Sequence, residues 1–247
     1  MPRMTASDTA FDEAQRANAY PPGIGDHFWL SARSQIIHRK IVRVAAGAPV
    51  LDLGCGPGVT VAHLRRRGID CFGCDLADYQ PAEPDLAQFL WLGQDAFALP
   101  RERRERFRVL LLLDVLEHLP EPEAFLARCL RELPALEHVL ITVPARQELF
   151  GTYDEYYGHQ RRYDLDSATA LCASSALEVV SRGYFFHLLY PTMAAQKLIA
   201  RERSVVFPTT RWPAWHRLLA GLFRLEERVL PRALPGTSLH VLARVRR

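Results

Sequence analysis

From position 49 onward the chain alternates short β-branched or leucine-rich runs with segments whose apolar residues recur at helical spacing. This is the pattern of strands and helices following one another through a mostly parallel sheet. Seven runs predict strands at 50–53, 69–74, 89–93, 108–113, 138–143, 177–184 and 238–245. Helices are predicted at 59–67, 120–133 and 166–174, with Asp166 a candidate cap for the last. Ahead of the first strand, a Pro21-Pro22-Gly23 break precedes Phe28, Trp29, Ile36, Ile37, Ile41 and Val44, whose spacing predicts a helix over 26–45. Between the sixth and seventh strands, 188–235 holds two helical pieces broken at Phe207-Pro208 and bounded by Pro231 and Pro235. The expected architecture is an α/β fold in one domain. A seven-stranded, mostly parallel sheet carries helices on both faces, with a helical preface over 1–45, a core over 46–187 and 236–247, and a helical insertion or lid before the last strand.

The second piece of that insertion sets Trp212, Trp215, Leu218, Leu219, Leu222, Phe223 and Leu225 among Arg211, Arg217, Arg224 and Arg228. A basic amphipathic segment of this kind reads first as a lid packed on the core. A membrane-surface contact, a cover over an acceptor site and a dimer contact are the alternatives.

Composition narrows the class without naming it. At 247 residues, with 49% hydrophobic and 24% charged side chains, the chain falls in the globular range and is neither disordered nor fibrous. Its net charge of +3 comes from arginines spread along the sequence, so no nucleic-acid partner is expected. Cys55, Cys71, Cys74, Cys129 and Cys172 are odd in number and scattered through apolar segments, which points to a reducing compartment. Cys71 and Cys74 form a CxxC inside a predicted strand with no second pair, a packing arrangement before a zinc site. The first twenty residues lack an apolar signal core, and no stretch of eighteen uncharged apolar residues occurs. A cytoplasmic location is expected, as monomer or homodimer.

The candidate chemistry begins at Val50-Leu51-Asp52-Leu53-Gly54-Cys55-Gly56-Pro57-Gly58, a strand end running into a helix start. Glycines there allow a tight turn and close approach of a ligand to free backbone N–H groups. A dinucleotide-type GxGxxG from Gly54 needs Gly or Ala where Val59 stands, and no Lys-Ser/Thr pair follows to make a Walker loop. The segment closely resembles motif I of class I methyltransferases. That resemblance implies a Rossmann-like fold with S-adenosyl-L-methionine as cofactor. Gly54, Cys55, Gly56 and Gly58 then face its amino-acid part, and Asp52 fixes the loop and holds the ammonium end. Asp75, followed by Leu76, ends the second strand seventeen residues after Gly58, where a carboxylate can accept hydrogen bonds from ribose hydroxyls. Asp95 and Ala96 end the third strand and resemble the family's adenine-binding turn. Taken singly, each Asp reads as a cap or turn residue; three acids in family register read as a cofactor site.

After the fourth strand, Asp114-Val115-Leu116-Glu117-His118-Leu119-Pro120 resembles the corresponding motif of ubiquinone-pathway O-methyltransferases. His118 is a candidate general base or acceptor-positioning group, or a structural tie for its loop, and Asp114 is expected to line the cofactor pocket. Further on, Tyr153 and the run Gly158-His159-Gln160-Arg161-Arg162-Tyr163 resemble the GHxRRY signature of a bacterial methyltransferase subgroup linked with cell-surface glycan and secondary-metabolite pathways. The likeness places His159 at the active site, with Arg161 or Arg162 gripping an anionic acceptor, pairing with Glu117 or Asp114, or holding the loop down. His27-Phe28-Trp29-Leu30-Ser31-Ala32-Arg33 resembles the HFWFxxR opening of the same subgroup, so Trp29 and Arg33 are expected at the pocket. No metal is assigned. Asp114, Glu117, His118 and His159 nevertheless resemble the ExxEH-plus-His magnesium site of small-RNA 2′-O-methyltransferases, with Asp for the first Glu.

The function that follows is O-methylation of a small-molecule, glycan or lipid-linked acceptor, with peripheral membrane contact as an option. A methyltransferase-like partner without turnover is the second reading. A nicotinamide oxidoreductase is disfavoured by Val59 and by the absence of a Tyr-x-x-x-Lys pair.

Overall fold

The computed structural model of the chain describes residues 11–199 and 212–246. In chain order these form α1 (Glu13–Ala19), α2 (Phe28–Ile41), β1 (Val50–Leu53), α3 (Val59–Arg65), β2 (Cys71–Asp75), β3 (Leu90–Leu92), α4 (Arg101–Arg104), β4 (Val109–Leu113) and α5 (Pro122–Glu132). There follow β5 (His138–Pro144), α6 (Thr152–Tyr156), α7 (Leu165–Ser174), β6 (Leu177–Phe185), α8 (Leu189–Leu198), α9 (Pro213–Val229) and β7 (Ser238–Val245). The sequence-based break at Phe207-Pro208, and Arg211, lie outside the described residues.

The strands form one sheet in the order β3-β2-β1-β4-β5-β7-β6. β1 to β5 pair in parallel, while β7 runs antiparallel to both β5 and β6. The order reverses between β1 and β4. At such a switch point the loops leaving the two strands diverge to opposite faces and open a crevice at their carboxyl ends.

β4 shows why this stretch had to be a central strand. All five of its residues are buried, and a strand covered on both faces cannot alternate apolar with polar. Leu110 and Leu112 pack with Leu126, Cys129, Leu171 and Cys172 of α5 and α7, whereas Val109, Leu111 and Leu113 pack with Ile37, Ile41, Val61 and Leu64 of α2 and α3. The CxxC obeys the same period. Cys71 enters the second of these clusters and Cys74 the first, so the two thiols face opposite layers of the core.

Local chemistry sets the ends of the helices. α7 starts one residue before the expected Asp166, because Asp164 is the residue that caps it. Its carboxylate accepts from the Ser167 N–H at 2.7 Å and the Ser167 hydroxyl answers to the Asp164 N–H, a complete capping box. Asp166 is exposed, and its carboxylate meets Arg182 at 3.4 Å. α2 is shorter than the expected 26–45, and His27 caps it by accepting from the Trp29 N–H. The polar start conceals a further helix, α1, closed by an Asp12–Gln15 capping box.

α9 lies across α2 by one face only. Ala220 and Phe223 enter a small cluster with Ala32, Ile36, Phe185 and Phe186, and Leu219 packs against it. Glu227 is gripped by Arg39 and by Lys40 at 2.6 Å, and Glu226 accepts from the His187 and Leu188 N–H groups at 2.8 and 3.0 Å. α9 is thus tied to the core by apolar packing and by two buried, partnered carboxylates. Among the described residues no helix is long and apolar enough to cross a membrane.

Candidate active site

The crevice at the β1/β4 switch point opens into a cavity of about 280 Å³. Its first half is built by the ends of β1, β2 and β3. Gly54, Gly56 and Gly58 all have positive φ, which admits the turn without steric strain. A Cβ at Gly56 would lie 2.6 Å from the Tyr20 hydroxyl, so the loop is close-packed from above as well as sharply bent. The Gly56 N–H donates to Asp75 at 2.8 Å, and the Ala77 N–H donates to the other Asp75 oxygen at 2.8 Å. Two fixed amides therefore hold the carboxylate at the cavity wall with lone pairs still open. Burial pushes the Asp75 pKa up, opposed by those same amides.

Asp52 is almost wholly buried, and its Oδ1 has no hydrogen-bond partner among the described residues. Burial raises its pKa to about 7; Arg33 works against the rise, and Asp75 and Asp114 add to it. A buried carboxylate without a partner is costly, and an ammonium group in the cavity would satisfy it. Asp95 and Ala96 line the same cavity. Asp95 also caps the turn that follows, accepting from the Phe97 N–H at 2.9 Å, and meets Arg128 at 3.3 Å. The capping and cofactor readings of this residue are compatible, since one carboxylate serves several donors. Cys55, Leu76 and Asp114 line the cavity too, whereas Gly56 and Gly58 shape the loop from behind.

The second half lies beyond β4 and β5. Asp114 leaves β4 at φ 59, a left-handed conformation uncommon for a side-chain-bearing residue. Arg33 compensates: its guanidinium donates to Asp114 at 2.6 Å and to the Thr142 hydroxyl at 3.3 Å, while that hydroxyl donates back to Asp114 at 3.2 Å. Trp29 lies flat beside Arg33, 5.3 Å from its guanidinium carbon, and both line the cavity. The resemblance to a four-ligand metal site is corrected here, because Asp114 is committed to Arg33.

Glu117, His118 and His159 do come together, with one potential ligand atom from each lying within 4.8 Å of the others. Glu117 is fully buried, neither of its oxygens has a hydrogen-bond partner among the described residues, and burial together with the Asp114 charge holds its carboxyl well above the usual range. Burial and the neighbouring His159 push His118 down to about 3, leaving its imidazole neutral. The two rings meet edge to face at 4.7 Å.

His159 owes its place to a residue that sequence reasoning passed over. The buried Asp154 accepts from His159 Nδ1 at 2.7 Å and takes two hydrogen bonds from Arg162, both at 2.9 Å. Burial alone would raise the Asp154 pKa, but those donors outweigh it and hold the group below its usual range. Arg162 is therefore a buried strut that lines the cavity, and it pairs with Asp154 in place of the expected Glu117 or Asp114. Arg161 turns away from the cavity and donates to the Pro120 carbonyl at 3.0 Å, which pins the loop. Tyr153 lines the cavity, as do Phe11, Tyr20 and Tyr79, three aromatic residues the sequence pattern had not marked. Phe11 meets the His118 ring edge to face at 5.6 Å and packs against Tyr157 at 5.2 Å, while Tyr20 lies against Gly56 in the first half.

Sheet order, glycine loop and strand-end carboxylates together define a class I, S-adenosylmethionine-dependent methyltransferase. A family model described as a methyltransferase domain matches residues 29–182, well over half of the chain, and the chain belongs to that family. Among curated proteins it is 37% identical over 93 residues to a ubiquinone biosynthesis O-methyltransferase of Pseudomonas entomophila, a match spanning 35% of this chain and 40% of the relative. A counterpart from Pseudomonas putida is 34% identical over 109 residues, or 42% and 43% of the two chains. The chain thus spans less than half the length of these relatives.

The fold extends further than the sequence likeness. The 1,6-didemethyltoxoflavin-N1-methyltransferase of Burkholderia thailandensis, solved with S-adenosylhomocysteine, superposes with a TM-score of 0.52 at 16% identity, covering 88% of this chain and 79% of that one. The (4+2) cyclase SpnF gives 0.53 at 16% identity over 88% and 81%. A methyltransferase and a cyclase on one scaffold show that the fold alone leaves the acceptor open.

Proposed function

We propose that the chain transfers the methyl group of S-adenosylmethionine to an oxygen of a small-molecule, glycan or lipid-linked acceptor. The observation that carries this reading is that one cavity is lined at one end by Asp52, Gly54, Asp75, Asp95 and Ala96 and at the other by Glu117, His118 and His159. When bound, the cofactor supplies an electrophilic methyl group on sulfonium sulfur. Asp52 answers its ammonium group, Asp75 the ribose hydroxyls, and Asp95 with the Ala96 N–H the adenine. The remaining task is alignment of an acceptor oxygen and removal of its proton. His159 fits that task, because Asp154 holds its Nδ1 and leaves Nε2 for the acceptor.

A second form of the same reading is favoured by the unpartnered Glu117 carboxylate. With His118 and His159 it makes a two-histidine, one-carboxylate set, and the Asp154–His159 hydrogen bond is the outer support that metal-bound histidines commonly have. Glu117, His118 and His159 would hold a divalent cation there, and the cation would supply Lewis acidity toward an acceptor oxygen.

A labelled-methyl transfer screen against cell extract tests the activity, with His159→Ala as the control. Labelled product with the wild type and none with the variant supports the reading; equal labelling overturns the role of His159. Loss of transfer on chelation and its return with added magnesium or manganese selects the metal-assisted form.

A further inference from the structure

The outer face of α9 has no use in the methyl-transfer site. Trp215, Leu218, Leu222, Leu225 and Val229 follow one another at spacings of three and four, which sets them in one stripe along the helix. The stripe faces outward: Trp215 and Leu225 are each 57% exposed, Leu218 62% and Val229 69%, and Trp212 just ahead of the helix is 74% exposed. A row of large apolar side chains left in water is what surfaces ordinarily avoid.

The charges on this helix are sorted by face. Both of its acids, Glu226 and Glu227, are buried and engaged inward, by backbone amides and by Arg39 and Lys40. Arg217 and Arg228 are exposed and Arg224 is half-buried, so every ionic charge reaching solvent from α9 is positive.

Sorting of this kind discriminates between occupants. The three-four spacing also suits a partner helix, and a second copy of the chain is the obvious candidate. That pairing brings Arg217, Arg224 and Arg228 against identical arginines, with no exposed carboxylate on the helix to answer them. A surface of anionic phospholipid answers both features, because its headgroups pair with the arginines while its acyl boundary receives the tryptophans and leucines.

We propose that the outer face of α9 docks the protein on an anionic phospholipid bilayer. The inner face of α9 packs on α2, whose Trp29, Leu30 and Arg33 line the cavity, so docking brings the bilayer next to an element of the acceptor site. This inference stands apart from the choice of acceptor and is tested without turnover.

The full chain is sedimented with vesicles of phosphatidylcholine alone and of an equimolar mixture with phosphatidylglycerol. It is expected to pellet with the mixture, with a blue shift in tryptophan emission, and to stay in solution with phosphatidylcholine and at high salt. The solvent-facing Leu218→Glu/Leu225→Glu variant should lower the bound-to-free ratio by at least about tenfold, and Arg217→Gln/Arg228→Gln by roughly tenfold. Both variants should keep the wild-type circular dichroism and affinity for S-adenosylhomocysteine, which separates failure of docking from failure of the cofactor site. No pelleting with the anionic mixture overturns the proposal. So does pelleting that survives Leu218→Glu/Leu225→Glu, or a wild-type dimer in solution that this variant dissolves.

Discussion

The two ends of the cavity are built by opposite strategies. At the β1–β3 end, the groups proposed to read the cofactor are fixed by backbone: Asp75 is held by two amides, Asp95 by one, and the glycine loop by its own conformation. At the β4–β5 end, the groups are fixed by other side chains, with Arg33 holding Asp114, and Asp154 holding both His159 and Arg162. A backbone amide survives substitution of its own side chain, so backbone-held groups tolerate change in the residues that hold them. Side-chain-held groups need particular partner side chains: Arg33 reaches Asp114 across 81 positions, and Asp154 serves His159 and Arg162 from five and eight positions away.

The largest expected effect tests the independence of the two ends. His159→Ala should lower turnover by about 10²–10⁴-fold, the usual scale for a positioned proton acceptor, while calorimetric affinity for S-adenosylhomocysteine stays unchanged. Coupled loss of both would show that the ends are not separate. Conversely, Asp75→Ala should weaken cofactor binding by roughly 1.5–3 kcal/mol, and Asp75→Asn by less, since an acceptor oxygen remains. Full affinity in the alanine variant would remove Asp75 from the ribose site.

Glu117 sharpens the contrast through stability. A fully buried carboxyl that finds no hydrogen-bond partner among the described residues is a liability, so Glu117→Met should raise stability by about 1–3 kcal/mol in denaturant unfolding while abolishing methyl transfer. A destabilised variant would mean that Glu117 has a structural partner in solution.

The smallest effect is on pH. Asp52 is held up to about 7 in the ligand-free chain, and a bound ammonium favours its ionised form. Cofactor affinity should therefore be full above pH 7 and fall as pH drops through that value, by at most about tenfold per unit. Titrations from pH 6 to 8 should show this slope in the wild type and none in Asp52→Asn.

Which parts could be read in advance follows from the same division. The strands were legible for two reasons: β4 is buried on both faces and declares itself as an unbroken apolar run, while β6 alternates buried or half-buried with exposed positions along its first half. Asp75 and Asp95 were legible as strand-end acids because each sits beside an amide two residues on, from Ala77 and Phe97, and Asp52 because it directly precedes the glycine turn. Asp154 was not, since its value lies in Arg162 and His159 folding back onto it. Asp166 was misread as a cap because Asp164 and Ser167 close the box two residues earlier.

By itself the sequence determined the sheet, the glycine turn and the acids beside it, because hydrophobic period and backbone conformation act over a few residues. Only the tertiary structure decided that Asp114 belongs to Arg33, that Arg162 is a strut, and that Glu117, His118 and His159 meet. Those pairings join residues from separate elements, up to 81 positions apart in the case of Arg33 and Asp114. Burial then fixes their protonation and strength, and no local pattern of residues encodes which distant charge will share a dry site.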